Sequence, residues 1–354
     1  NRIMITFTDT SNNQEWDNFV QSLPKYSFLN SSARIEYLKE INQEYIQKYI
    51  EKDGEKIGIL SGSVSFTKAG RLLDLKHSPL LKEPYNKDTN IWKEVFEELK
   101  KLTKEKKCFA FRSSPLEIQN EELGKAYKDV HAVESPIHNI DALISQYIDV
   151  TKSEEDLRHD MTDSTRHNLN KLQKDPDISI KIFNDDSMLD TFADFLKQTM
   201  KVKGFSGKSM DFLLKELKIQ IDMGMHYMIV GYYKNKPISI WTLTKYGKYA
   251  SIYQAGSDTE FREKKIRVTY LLAWESMKLA KQLGCEILDL FGGMIPDNCS
   301  KHPWRGVNDF KVSLGGKKIT YMHCMDIVIE PLRYCIFYTY SYLRTVYRGY
   351  SIKW

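Results

Sequence analysis

Residues 45–64, YIQKYIEKDGEKIGILSGSV, alternate apolar and polar positions on both sides of Asp53-Gly54, the pattern of a β-hairpin with a tight turn. Residues 226–245, HYMIVGYYKNKPISIWTLTK, read the same way, with Asn235 at the turn. The segment 93–111, KEVFEELKKLTKEKKCFAF, has apolar residues at helical spacing, ends in a lysine run and passes through Cys108 into a short apolar strand. Residues 270–291 repeat that order: the helical period closes at Gly284, and Cys285 leads into a strand. The offsets are 181 residues (Ile57 to Ile238) and 177 (Cys108 to Cys285), each about half of the 354-residue chain. Two features recurring at one period predict a duplicated hairpin–helix–strand unit; chance likeness between two ordinary α/β segments is the alternative.

A hairpin followed by a helix and another strand is similar to the core of the acetyltransferase-like (GNAT) fold. The expected class is therefore mixed α/β (α+β): tandem GNAT-like domains, each a mixed sheet flanked by helices. The first domain is expected at 1–146 plus 317–354 and the second at 147–316, joined by a linker from Ser135-Pro136 to Tyr147. An acyl-CoA enzyme of this fold needs a glycine-rich turn before its central helix, so that backbone N–H groups can hold the pyrophosphate. The corresponding segment, Phe261 to Val268, has no glycine, which argues against a donor gripped as CoA is. Residues 153–176 form a polar helical hairpin carrying Arg158, Arg166, His167, Lys171 and Lys174, either a solvated face or a surface for a phosphate-rich ligand.

Composition narrows the class. With 42% hydrophobic, 12% aromatic and 28% charged residues, the chain is globular and too apolar for intrinsic disorder. No stretch approaches 18 uninterrupted apolar residues and Asn1 to Trp16 lacks the apolar core of a secretory signal, so a cytoplasmic protein is expected. The five cysteines (Cys108, Cys285, Cys299, Cys324, Cys335) include no C-x-x-C pair, and Cys299-x-x-His302 with His323-Cys324 matches no zinc spacing. No metal or organic cofactor is expected. Of the net +5, four basic residues and no acidic one lie in 331–354, together with eight aromatics. A helix starting at Pro331 would put Arg333, Arg344 and Arg348 on one face, suited to a membrane surface or RNA phosphates, unless the aromatics pack against the body. Nothing marks a coiled coil or a self-complementary apolar face, so the expected state is a monomer.

The densest chemical signal is 289–316, DLFGGMIPDNCSKHPWRGVNDFKVSLGG, which holds five of the 18 glycines. Such density fits backbone that takes unusual angles or approaches a ligand closely. Phe310, Val312 and Leu314 alternate with Lys311 and Ser313, predicting a strand from which Lys311 projects away from the core as an oxyanion stabiliser; a surface lysine is the plainer reading. Asp289 and Asp309 are candidate proton acceptors or structural carboxylates.

These residues resemble the FemABX aminoacyltransferases. The resemblance rests on Asp289-Leu-Phe-Gly-Gly-Met-Ile-Pro296, His302-Pro-Trp-Arg-Gly306 and Phe310-Lys311 followed by Gly315-Gly316. It extends through Tyr253-Gln-Ala-Gly-Ser257, Arg262, Tyr270-Leu-Leu-Ala-Trp-Glu275 and Thr165-Arg166-His-Asn168, with weaker likeness in Phe28-Leu-Asn-Ser-Ser-Ala33 before the first helix. It implies a compact, divergent member without the coiled-coil insertion. The implied activity is transfer of an amino acid from aminoacyl-tRNA to an amine of a peptidoglycan precursor, lipid-linked or UDP-linked, building a cell-wall peptide bridge. Lys311 would stabilise the oxyanion with Phe310 positioning it, and Tyr253, Arg262, Trp304, Arg166 and Ser114 would bind substrates. His302 and Trp304 also read as loop anchors. The location implied is cytoplasmic, peripheral to the membrane if 331–354 touches it. Three departures mark divergence: Ser114-Pro115 where the family has Asp-Pro, Val202 in place of an arginine, and Val268 near a missing proline. The competing readings are a GNAT-type acyltransferase with another donor or amine acceptor, and a non-catalytic RNA- or membrane-binding module.

Overall fold

The computed structural model describes residues 4–136, 142–203, 209–263, 266–297, 299 and 302–347, without the side chains of 202, 203, 262 and 263. The chain divides into two units. The first comprises Asn1–Ile144, Gly292–Arg305 and Ile319–Trp354; the second comprises Ser145–Phe291 and Gly306–Lys318.

In the first unit the strands are β1 (Ile5–Asp9), β2 (Tyr45–Lys52), β3 (Glu55–Thr67), β4 (Gly70–Leu75), β5 (Leu80–Leu81), β6 (Ala110–Ser113), β7 (Val133–Glu134) and β15 (Met325–Val328). They form one sheet in the order β1-β2-β3-β4-β6-β15-β7, with β5 also on β3. Its helices are α1 (Asn13–Ser22), α2 (Ser32–Glu40), α3 (Thr89–Glu105), α4 (Glu121–Asp129) and α12 (Pro331–Tyr347). The segment from Phe28 thus leads into the second helix, not the first. Positive φ at Asp53 (50°) and Gly54 (85°) closes the β2–β3 hairpin, the turn whose twist matches paired strands. Asp88 caps α3 by accepting from the Asn90 and Ile91 N–H groups, and Trp92, Val95, Phe96 and Leu99 turn one stripe of that helix onto the sheet. β4 and β6, on either side of α3, pair in parallel. The C-terminal strand β15 lies antiparallel to β6. Across that pair Arg112 donates twice to Asp326 (2.8 and 3.0 Å), and Tyr334 of α12 donates to the same carboxylate at 2.9 Å.

The second unit repeats the plan with β8 (Ile144–Asp149), β9 (Ile178–Phe183), β10 (His226–Tyr233), β11 (Lys236–Tyr246), β12 (Tyr249–Ser257), β13 (Ile287–Asp289) and β14 (Lys317–Thr320). The order is β14-β8-β13-β12-β11-β10-β9. Its helices are α5 (Glu154–Asp160), α6 (Asp163–Gln173), α7 (Leu189–Lys203), α8 (Met210–Asp222), α9 (Thr259–Glu263), α10 (Thr269–Gln282) and α11 (Arg305–Ser313). Lys234 (φ 48°) and Asn235 (φ 62°) close its hairpin. α10 sits between the parallel strands β12 and β13 in sequence, as α3 does between β4 and β6. The duplication read at offsets of 177–181 is therefore a repeated hairpin, central helix and parallel strand: a tandem GNAT architecture.

One element differs from its sequence reading. Residues 305–313 form the helix α11, not a strand. Five alternating positions cannot separate the two, because Phe310 and Leu314 are also four apart on a helix. Leu314 is buried in the core with Phe310 packed against it, whereas Val312 is 44% exposed. The helix stops because Gly315 and Gly316 take φ of 86° and 83°, a left-handed turn that side-chain-bearing residues resist.

Candidate active site

In the second unit β12 and β13 pair over only three positions, Tyr249–Ser251 with Ile287–Asp289. β12 runs on to Ser257 while the chain after Asp289 becomes loop, so the two strands end their pairing beside Tyr253 on one and Leu290-Phe291 on the other. Phe291, Gly292 and Gly293 all have positive φ (45°, 70° and 64°). Phe291 pays a steric cost there that glycine would not, and Asp289 holds the turn by accepting from its N–H at 2.8 Å. Asp289 also accepts from the Ser145 hydroxyl in a short contact. Burial pushes the Asp289 pKa up to about 6, opposed by those two hydrogen bonds and the charge of Lys311.

Lys311 lies in the last turn of α11, half-buried, and donates to the Leu290 carbonyl at 2.6 Å. The cation therefore sits at the strand end, near the carbonyl end of its own helix, where positive charge is favoured. Phe310 packs edge-on against Trp241 (6.1 Å) and Tyr270 (5.3 Å), anchoring the turn that carries Lys311 to the sheet and to α10. The following glycines are locked in: a Cβ on Gly316 would lie 2.2 Å from the Tyr147 carbonyl, and Gln146 donates to the Gly315 carbonyl at 2.6 Å.

Tyr253 reaches the same strand end, its ring 5.8 Å from Phe291. Its hydroxyl donates to Glu216 at 3.0 Å. Glu216 is a fully buried carboxylate that sequence reasoning missed. The signal was present: Glu216 falls among Leu213, Leu217 and Ile221 on the apolar stripe of α8, where a charged residue needs a reason. Gln220, one turn on, accepts from Thr244 at 2.8 Å and bonds to buried His226 at 3.1 Å. Burial drives the His226 pKa down to about 3, so it is neutral at ordinary pH.

The other site candidates lie elsewhere. Arg166 on α6 donates to the carbonyls of Arg158, His159 and Met161 and pairs with Asp163, so its guanidinium caps the end of α5. Its helix is nonetheless tied to α11, through Thr165 donating to Ser313 at 2.9 Å. The Arg262 and Val202 side chains lie outside the described residues, as does Arg348. Ser114 and Trp304 belong to the first unit. The Ser114 hydroxyl, buried, donates to the Leu75 carbonyl (2.9 Å) and accepts from the His77 N–H (3.2 Å). Trp304 donates its backbone N–H to His302 Nδ1 at 3.1 Å, with the two rings edge-on at 5.3 Å, so His302 anchors this loop. The structure thus gathers Phe310, Lys311, Tyr253 and Asp289 at one strand end. Among the described residues no group of histidine, cysteine and carboxylate side chains is arranged to hold a metal ion.

The acetyltransferase (GNAT) domain family matches residues 160–311, a stretch that ends on Lys311. No curated protein matches the chain by sequence. Among solved structures, FemX superposes with a TM-score of 0.79 at 16% identity, covering 95% of this chain and 100% of that one. A tandem GNAT protein from the clavulanic acid biosynthesis pathway gives 0.56 at 11% identity, covering 91% and 98%. L-PGS from Bacillus licheniformis gives 0.54 at 10% identity, covering 94% and 98%. The class defined by fold and domain match is an acyltransferase of tandem GNAT architecture. Over nearly its whole length the chain has the fold of FemX.

Proposed function

We propose that this chain is an aminoacyltransferase that moves an amino acid from aminoacyl-tRNA to an amine of a peptidoglycan precursor stem peptide. The observation that carries the reading is Lys311, a cation on the helical turn that Phe310 packs against Trp241 and Tyr270, donating to the Leu290 carbonyl at the strand end where β12 and β13 part in a GNAT unit. The FemX-like fold supports the acceptor class, and the glycine-free segment before α10 supports a donor other than CoA.

An amino acid esterified to a ribose hydroxyl is already activated, so the chemistry needs little acid–base help. An unprotonated amine attacks the ester carbonyl, the C–N bond forms, and negative charge collects on the carbonyl oxygen. Lys311 stabilises that oxyanion. Collapse breaks the C–O bond, and the proton lost by the amine ends on the departing ribose oxygen. Holding amine and ester together supplies much of the remaining rate. Asp289 acts through position: its hydrogen bonds are spent on Ser145 and Phe291, fixing the backbone that receives Lys311. The domain boundaries expected from sequence, and the substrate-binding roles of Tyr253, Arg262, Trp304, Arg166 and Ser114, stay part of this proposal. So do a monomeric state, a cytoplasmic location and contact of 331–354 with the membrane.

The test is incubation with a mixture of charged tRNAs and either UDP-muramyl pentapeptide or its lipid-linked form, read by mass spectrometry of the acceptor. The proposal expects a gain of one or more amino-acid masses. Intact acceptor in both arms, with folded protein and tRNAs still charged, would overturn it. The second reading, an acyl-CoA donor, draws on the tandem GNAT likeness and would show as saturable CoA binding in a titration.

A further inference from the structure

The helix α12 is amphipathic in an unusual sense. One stripe, Tyr334, Phe337, Ser341 and Thr345, is buried, with Tyr334 and Phe337 on Phe109 of the first unit's sheet. The opposite stripe is apolar too, and open to solvent: Leu332 is 84% exposed, Ile336 59%, Leu343 60% and Tyr347 92%. These positions are separated by 4, 7 and 4 residues, which keeps them on one side of a helix. A soluble surface rarely leaves so continuous an apolar row bare.

The margin of this row is basic. Arg333 and Arg344, eleven residues apart, share one flank, and α12 contains no acidic residue. The tip of the β3–β4 hairpin meets the same flank: Lys68 Nζ lies 4.6 Å from the Tyr340 ring, and a Cβ on Gly70 would lie 2.9 Å from Arg333. Phe66, near that tip on β3, is 75% exposed. Glu330, just before the helix, pairs with Arg333 at 3.0 Å; among the described residues no carboxylate pairs with Arg344 or Lys68.

We propose that the outward face of α12 and the β3–β4 hairpin tip together dock on an anionic lipid surface. The apolar row would enter the boundary between headgroups and acyl chains, and Lys68, Arg333 and Arg344 would meet lipid phosphates at its edge. Among the described residues no helix is long and apolar enough to cross a membrane, so α12 lies along the surface. A second copy of the chain fits the same face less well. An antiparallel α12 pair would bring Arg344 against Arg333 of its copy, whose Glu330 carboxylate is already engaged by Arg333, with no acidic residue on either helix. A sheet of anionic headgroups meets both. This deepens the membrane contact proposed above, and it rests on that part of the reading but on none of the transfer chemistry.

The test is co-sedimentation of the full chain with vesicles of phosphatidylcholine alone or with one third phosphatidylglycerol, without tRNA or acceptor. Strong binding is expected only with phosphatidylglycerol, weakening in high salt. Leu332→Ser/Ile336→Ser/Leu343→Ser alters only exposed side chains and should keep the wild-type melting temperature while lowering partitioning by about tenfold or more. Lys68→Glu/Arg344→Glu should also lower it by about tenfold or more, since each basic residue near an anionic surface contributes roughly fivefold. Wild type that fails to sediment with anionic vesicles, or binds them as well after the triple substitution, overturns the proposal. So does a dimer by light scattering that the triple substitution splits. Vesicle binding with no amino-acid transfer would leave docking intact and sink the transfer reading; transfer to the UDP-linked acceptor without vesicle binding would do the reverse.

Discussion

Replacing Asp289 by Asn removes a proton-binding group from the strand end that the account places at the centre of the site. The carboxyl is buried, and loss of hydration raises its pKa from the ordinary 3.8 to about 6, against the pull of Ser145, the Phe291 N–H and Lys311. Between those values the native chain holds the proton while the unfolded chain has lost it. The contribution of this group to folding is therefore fully present below about pH 3.8 and is lost as pH rises through about 6. A shift of about two pH units at about 1.4 kcal/mol each makes the loss ~3 kcal/mol. Asn cannot titrate, so other ionisable groups cancel when the two proteins are compared at each pH. Urea unfolding of wild type and Asp289→Asn should give a stability difference that moves against wild type by roughly 2–3 kcal/mol from about pH 4 to about pH 7. A difference that stays flat over that range would refute the burial argument, and one moving in favour of wild type would mean that its hydrogen bonds outweigh burial.

Three further outcomes follow from the packing. Asp326→Ala leaves Arg112 buried without its carboxylate and should cost about 3–5 kcal/mol in denaturant unfolding, whereas Arg112→Met/Asp326→Leu together should recover most of the loss. Gly316→Ala forces a Cβ onto the Tyr147 carbonyl at a φ of 83°, and should destabilise by more than about 2 kcal/mol in a thermal melt. Tyr253→Phe removes one donor from buried Glu216; a loss of about 1.5–3 kcal/mol is expected in the same assay, and a stability unchanged within error would show that Glu216 does not depend on Tyr253.

The fold was legible where local pattern and turn chemistry agree. Asp53-Gly54 and Asn235 announced hairpins because their φ values demand such residues, and α3 and α10 carry sustained apolar stripes that end at a lysine run and at Gly284. The end of the site was misread as strand because the alternation around Lys311 spans five residues, and the decision belongs to tertiary contacts of Phe310 with Trp241 and Tyr270 that no local window contains. The glycine pair was correctly marked as unusual backbone, but its use is to stop a helix. Arg166 was visible as a basic residue in a polar hairpin; that its guanidinium is spent on the carbonyls ending α5 depends on an αα turn whose geometry charge counting does not report. Glu216 was hidden by the opposite fault, since a charged residue on an apolar stripe was passed over and not questioned.

The most direct test of the central claim is the single-turnover rate of amino-acid transfer from charged tRNA by wild type and Lys311→Met, at saturating acceptor and with matched circular dichroism spectra. The account predicts a rate lower by about 100- to 1000-fold with little change in acceptor affinity, the cost of losing one group aimed at a developing oxyanion. A variant that transfers at a rate within a few-fold of wild type would contradict it.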